Sequence, residues 1–213
     1  MGVVEITHFG HSCVLLDTGS ARLLIDPGSW SDGFEDLTGL DAVLITHQHV
    51  DHLDGERLPA LLRGNPGARL IVDSGSAAEL GGHDHEVAVP GETLQVAGAR
   101  VAVLGGDHAM IYPEIPVISN NAYLVDGTHL HPGDSFTRPS TQVEVLFVPT
   151  SAPWLRIAEV IDYLRAVVPP TAVPIHQAVL SAPGQQLHYR LLENLSPQDT
   201  TVRVLEPGNA TTL

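Results

Sequence analysis

The sequence predicts an α/β (α+β) protein in which two β-sheets pack on each other with helices outside. Three observations carry this. Short apolar runs bounded by turn residues dominate both halves of the chain. Their order is many strands, a few helices, many strands, then a helix, a strand and a helix, which suits neither a doubly wound sheet nor an all-β sandwich. The 213 residues are 43% apolar and contain no Pro/Gly/Ser-rich linker, so one domain over 1–213 with its own core is expected.

Residues 3–7, 13–17 and 22–25 read as successive strands, with Asp17-Thr18-Gly19-Ser20 as a hairpin turn and Asp26-Pro27-Gly28 ending the third. The run Ala42 to Thr46 is a buried strand. Leu58, Leu61 and Leu62 give residues 56–63 a helical spacing, stopped by Gly64-Asn65-Pro66-Gly67. A strand at 70–72 and a short helix at 76–80, closed by Gly81-Gly82, follow. Residues 86–89, 93–96 and 100–104 alternate with Pro90-Gly91 and Ala97-Gly98, which reads as a β-meander. Asp126-Gly127 is a strong hairpin dipeptide between 122–125 and 128–130. After an apolar run at 143–148, Ile157, Val160, Ile161, Leu164 and Val168 form one face of an amphipathic helix that Pro169-Pro170 terminates. Residues 172–175 are a strand and 183–195 a last helix.

Composition narrows the partners. The net charge is -15, lysine is absent and all ten cations are arginines scattered along the chain, so neither nucleic acid nor an anionic membrane surface is an expected partner. No stretch approaches the roughly 20 apolar residues of a membrane helix. The first residues lack the basic and apolar regions of a signal peptide, and the single cysteine, Cys13, allows no intrachain disulfide. A cytoplasmic protein acting on a small molecule is expected; the oligomeric state is not legible.

The densest chemistry lies directly after the Ala42 to Thr46 strand, where His47-Gln48-His49-Val50-Asp51-His52 reads H-x-H-x-D-H. Imidazole nitrogen and carboxylate oxygen are ligands of a borderline metal such as zinc. Residues two apart on an extended segment point the same way, so His47 and His49 can grip one metal, while Asp51 and His52, past the turn, suit a second. Such a pair needs further ligands from other strand ends. His108, Asp134 and His176 each follow an apolar run that has just ended.

In this order the motifs resemble the metallo-β-lactamase superfamily. Thr46 to His52 matches its T-H-x-H-x-D-H signature, Asp26 the acidic residue of its first motif, Gly133-Asp134-Ser135 its bridging carboxylate and His176 its last motif. The opening His8-Phe9-Gly10-His11-Ser12-Cys13 further resembles the branch containing the L-ascorbate-6-phosphate lactonases. The resemblance implies a four-layer αββα sandwich of two mixed β-sheets flanked by helices, with two metals at one edge. It implies that His47, His49 and His108 bind one metal, that Asp51, His52 and His176 bind the other, and that Asp134 bridges them.

Other polar residues are weighed around that centre. Asp26 is expected to accept hydrogen bonds from the H-x-H-x-D-H loop, and His131 to hydrogen-bond a metal ligand. His11 belongs either to the first hairpin or to the rim of the site; Tyr112, Asn121 and Trp154 belong either to the pocket or to core and loops. His83 and His85 read as a solvated turn, His129 as structural, His188 as a surface or packed histidine, and Cys13 as a small buried hydrophobe.

The implied reaction is hydrolysis of an ester-type bond, in a lactone, carboxylic ester or small phosphate ester, by a hydroxide on two divalent ions. Zinc is the first choice, with manganese or iron as alternatives. Asp51 is the expected catalytic proton relay. Alternatives are a small-molecule phosphodiesterase, an iron-dependent redox enzyme on the same fold, and a non-catalytic metal-binding protein. Seven ligands for two metals leave positions open, which disfavours the last.

Overall fold

The computed structural model describes residues 4–80 and 82–213; the expected strand start at Val3 and helix stop at Gly81 lie outside them. Three strands open the chain: β1 (Glu5–His8), β2 (Val14–Asp17) and β3 (Arg22–Ile25). β4 (Ala42–Ile45), α1 (Leu58–Gly64), β5 (Arg69–Val72), α2 (Ser74–Glu79) and β6 (Glu86–Val87) follow. The second half comprises β7 (Thr93–Val96), β8 (Ala99–Asp107), β9 (Ser119–Val125), β10 (His129–His131), β11 (Val145–Pro149), α3 (Ile157–Val167), β12 (Thr171–Ile175) and α4 (Ala182–Leu195). The short β13 (Thr201–Val202) and β14 (Ala210–Thr212) end it.

These strands form two sheets, ordered β14-β1-β2-β3-β4-β5-β6 and β13-β12-β11-β10-β9-β8-β7. Both are mixed. β14 through β3 pair antiparallel and β3 through β6 parallel. In the other sheet β10 through β13 pair parallel and β7 through β10 antiparallel. Alternation along each strand sends one set of side chains to the interface between sheets and the other to the helices. Leu16, Ile25, Leu44 and Ile71 thus meet Val103, Tyr123, Phe147 and Val173 in a central core. Val43, Ile45 and Val72 pack under Leu58 and Leu61 of α1. Leu146 and Val148 pack under Val160, Leu164 and Leu192 of α3 and α4. The result is the expected αββα order of layers. β4, in a parallel region covered on both faces, is buried at every position, which is why its sequence is a continuous apolar run.

The meander expected over 86–104 is only half formed: β7 and β8 pair antiparallel, but β6 joins the other sheet. Ala88 donates its N–H to Val72 in the first sheet, whereas Gly91 and Glu92 exchange backbone bonds with Val103 in the second. Pro90-Gly91 is therefore a crossing between sheets; alternation marks a strand but not its partner. β13 and β14 have no apolar run to announce them, and both are edge strands recruited by pairing to β12 and β1. No helix among the described residues is long and apolar enough to cross a membrane.

Candidate metal centre

Each chemistry-bearing residue sits just past a strand, and those strands end at one edge of the sandwich. Asp26 follows β3, residues 46–54 follow β4, His108 follows β8, Asp134 follows β10 and His176 follows β12. The end of β4 is clamped to the opposite sheet: Tyr123 donates its hydroxyl to the Ile45 carbonyl at 2.8 Å and Asn121 its N–H to the Thr46 carbonyl at 2.8 Å. Asp26 accepts from the Thr46 N–H (2.8 Å), the Thr46 hydroxyl (2.7 Å) and His52 Nδ1 (2.7 Å), as the sequence leads one to expect. Gly28 lies so close under Asp51 that any Cβ there would overlap the Asp51 carbonyl and the His52 nitrogen. The motif loop is thus shaped from below by backbone contact, a demand only glycine meets.

Two groups result, each with its donor atoms within 4.8 Å of one another: His47, His49, His108 and Asp134; and His11, Asp51, His52 and His176. Asp134 faces both groups. Its Oδ1 is 3.1 Å from His52 Nε2 and 3.1 Å from His176 Nε2, and its Oδ2 is 3.3 Å from His108 Nε2. Three histidines share one arrangement. Nδ1 of His52 lies on Asp26, that of His108 on the Ala109 carbonyl at 2.6 Å, and that of His176 on the Ser151 carbonyl at 2.6 Å. A carbonyl or carboxylate acceptor keeps the proton on Nδ1 and leaves the Nε2 lone pair directed into the centre, the support pattern of ligating histidines.

That centre suits a cation. Nε2 of His52, His108 and His176 and Oδ1 of Asp134 are buried and make no hydrogen bond. Four orphaned groups converging on one place would be costly unless something of positive charge joined them. The titration behaviour agrees. Burial alone would raise Asp134, but His176 and His52 hold it well below the usual carboxylate range. Burial alone would lower His52, yet Asp134 and Asp26 raise it well above its ordinary value. His47 and His49 are pushed down, first by burial and then by neighbouring imidazoles. His47 and His49 are thus kept neutral beside an ionised Asp134, the states that bind divalent metals, while His52 holds a proton that a bound cation would displace.

Some expectations need correcting. His131 does not hydrogen-bond a metal ligand: its Nε2 donates to the Ser12 carbonyl at 2.9 Å and its Nδ1 accepts the Gly133 N–H at 3.3 Å, so it braces the turn that carries Asp134. Asn121 is not in the pocket; it is buried and donates from Nδ2 to the Ala88 carbonyl, tying the crossing segment to β9. Tyr112 is exposed on the loop after His108. Trp154, by contrast, donates from Nε1 to Asp134 Oδ2 at 2.8 Å. His11 proves the residue most under-read in the sequence. It is buried, packs at a tilt against His176 with ring centroids 4.0 Å apart, and sets Nε2 2.9 Å from Asp51 Oδ2. The Ala178 N–H donates to its Nδ1 at 3.4 Å, which leaves the proton on Nε2, facing Asp51. Burial first, with the Asp51 bond opposing it, brings His11 down to about 4. Burial would raise Asp51, but the His11 bond and the His52 and His176 rings hold it at about 2. His83 is an exposed turn residue, and His188 bonds the Thr150 carbonyl at 2.9 Å.

Comparisons with known proteins bear on this arrangement. The sequence profile of the family described as Beta-lactamase superfamily domain matches residues 5–176, a span that holds every residue of both groups. Protein Rv0786c of Mycobacterium tuberculosis is 50% identical over 204 residues, covering 93% of this chain and 96% of that protein. A protein of Aeropyrum pernix named UPF0173 metal-dependent hydrolase is 25% identical over 249 residues, covering 98% of this chain and 97% of the other. Among solved structures, Igni18, a metallo hydrolase of Ignicoccus hospitalis, superposes with a TM-score of 0.76 at 22% identity, covering 99% of this chain and 98% of that one.

Proposed function

Because the chain belongs to the metallo-β-lactamase superfamily, we propose that it is a metal-dependent hydrolase that holds two divalent ions at this centre and cleaves an ester-type bond of a small molecule. The observation that carries the reading is the convergence of four buried, unbonded donor atoms from His52, His108, His176 and Asp134. Bound there, two divalent ions would supply Lewis acidity and a water whose pKa falls from 15.7 toward about 7. His47, His49 and His108 would hold one ion, Asp51, His52 and His176 the other, with Asp134 between them. Asp51, held ionised at neutral pH and bound at Oδ2 by His11, would orient the attacking water and receive its proton. His11 keeps that carboxylate in place through its Nε2–H. The products of a carboxylic ester are the acid and the alcohol, water supplying the new oxygen and both hydrogens.

The test is a metal-reconstituted screen against lactones, carboxylic esters, phosphomonoesters and phosphodiesters, run beside metal analysis. Close to two divalent ions per chain are expected, with at least a hundredfold loss of turnover in His49→Ala. No stoichiometric metal after reconstitution, or full activity in His49→Ala, would overturn the proposal.

A further inference from the structure

The eleven residues 108–118 between β8 and β9 are an unusual surface loop. Only Glu114 among them is charged, and Met110, Ile111, Tyr112, Ile115, Val117 and Ile118 are large and apolar. Met110 is 59% exposed, Tyr112 56% and Val117 53%. Scattered apolar side chains need no explanation, but a contiguous exposed patch marks a binding surface. The loop is also held in place: His108 donates its N–H to the Ile118 carbonyl at 2.9 Å, Ala109 to the Asp134 carbonyl at 2.8 Å, and Ile115 to the Tyr112 carbonyl at 2.9 Å.

Beneath it lies a cavity of about 240 Å³ whose inner wall is His49 and His108 and whose outer wall is Ile111, Ile115, Val117 and Ile118. It therefore opens from the candidate metal centre itself. Across the centre, exposed Trp30 sits edge-on to His11 with ring centroids 4.9 Å apart, and exposed Val50 lies between His49 and Asp51. Among the described residues no lysine or arginine lines the cavity. The chain has no lysine, and Arg57, close to the motif in sequence, is engaged by Asp54, Glu35 and the Gly28 carbonyl. A phosphate would find metals here but no arginine or lysine to bind its remaining oxygens.

We infer that the 108–118 loop is the substrate-selecting wall of the site and that its cavity takes the apolar acyl chain of an uncharged carboxylic ester or lactone. This rests on the hydrolase reading above and narrows it. Each methylene entering the cavity should strengthen binding about fourfold until the cavity is filled.

Two arms test it. The first measures kcat/KM of zinc-reconstituted protein on p-nitrophenyl acetate, butyrate, hexanoate and octanoate, and on p-nitrophenyl phosphate. The second needs no turnover: 1-butanol, 1-hexanol and 1-octanol are titrated into the protein, with and without zinc, following the fluorescence of Trp30 and Trp154, the chain's two tryptophans. Both arms are repeated with Val117→Asp and Ile115→Asp, exposed positions whose replacement leaves the core intact. The expected result is a rise with chain length in both arms that either variant reduces at least tenfold for the longest member. Flat dependence on length, length dependence unchanged in both variants, or faster turnover of the phosphate than of the octanoate would overturn the inference while leaving metal-dependent hydrolysis standing. Length-dependent, loop-dependent alcohol binding without hydrolysis of any ester would support the cavity and remove the hydrolase reading.

Discussion

Three residues around the centre hold left-handed backbone conformations that side-chain-bearing residues rarely adopt: His11 (φ 46°), Asp26 (φ 51°) and His176 (φ 60°). Each such residue costs on the order of 1–3 kcal/mol, tolerated only where the surroundings over-determine it. Here they do: the His176 N–H donates to the His11 carbonyl, and Asp26 is fixed by three bonds from Thr46 and His52. The same logic makes Trp154 a positioning residue, because its indole N–H holds Oδ2 of Asp134, the oxygen that faces His108. Trp154→Phe keeps the ring and removes the donor. Outer partners of this kind are worth 10–100-fold in metal affinity. We therefore expect Trp154→Phe to weaken binding of the ions by about tenfold, read by competition with a chromogenic chelator, with unfolding in urea little changed. An unaltered affinity would mean that the indole does not position Asp134.

At the scale of elements, turns do as much as strands to place the chemistry. Gly133 (φ 60°) lets the turn after β10 pass between Asn120 and Thr46, where a Cβ would collide with both, and so brings Asp134 under the Trp154 indole. One element end has no such role. α3 ends with Val168 in the left-handed conformation (φ 52°), its N–H bonded to the Leu164 carbonyl at 2.8 Å. Glycine is the usual residue at that position, and a β-branched side chain is strained there. Val168 is exposed and belongs to neither candidate metal group. Val168→Gly should stabilise the fold by about 1 kcal/mol, the relief of strain outweighing the entropy glycine adds to the unfolded chain. Denaturant unfolding checks this, and a loss of stability would show that the valine's packing under the last turn dominates.

For the whole molecule, the centre joins the two sheets. One group draws on β4, β8 and β10 and the other on β1, β4 and β12, so an ion in either bridges both layers of the sandwich. Binding to the folded state alone stabilises by mass action, about 4 kcal/mol at a thousandfold excess over Kd. For a chain of this size that corresponds to a rise in Tm of roughly 10 °C. Zinc should therefore raise the melting temperature by about that amount and a chelator reverse it; equal melting temperatures with and without metal would argue against a site that spans the sheets. The pairings that build this span were only partly legible in the sequence. The hairpins at Asp17-Thr18-Gly19-Ser20 and Asp126-Gly127 were readable because turn chemistry is local. The crossing at 88–92 and the edge strands β13 and β14 were not, because their hydrogen-bond partners lie far away in the chain.

The sequence by itself determined the two-sheet architecture and the residue types that meet at the edge of the sandwich. Burial writes itself into apolar periodicity, and metal-binding side chains are few and dense enough to stand out. Only the tertiary structure decided that His11 joins the five histidines the motifs single out, and with which nitrogen His52, His108 and His176 face the centre. It moved His131 and Asn121 to supporting places, brought His11 onto Asp51, and set an apolar loop over His49 and His108. Those outcomes depend on which carbonyl or carboxylate lies opposite a given atom, a relation between distant segments that spacing along the chain does not carry.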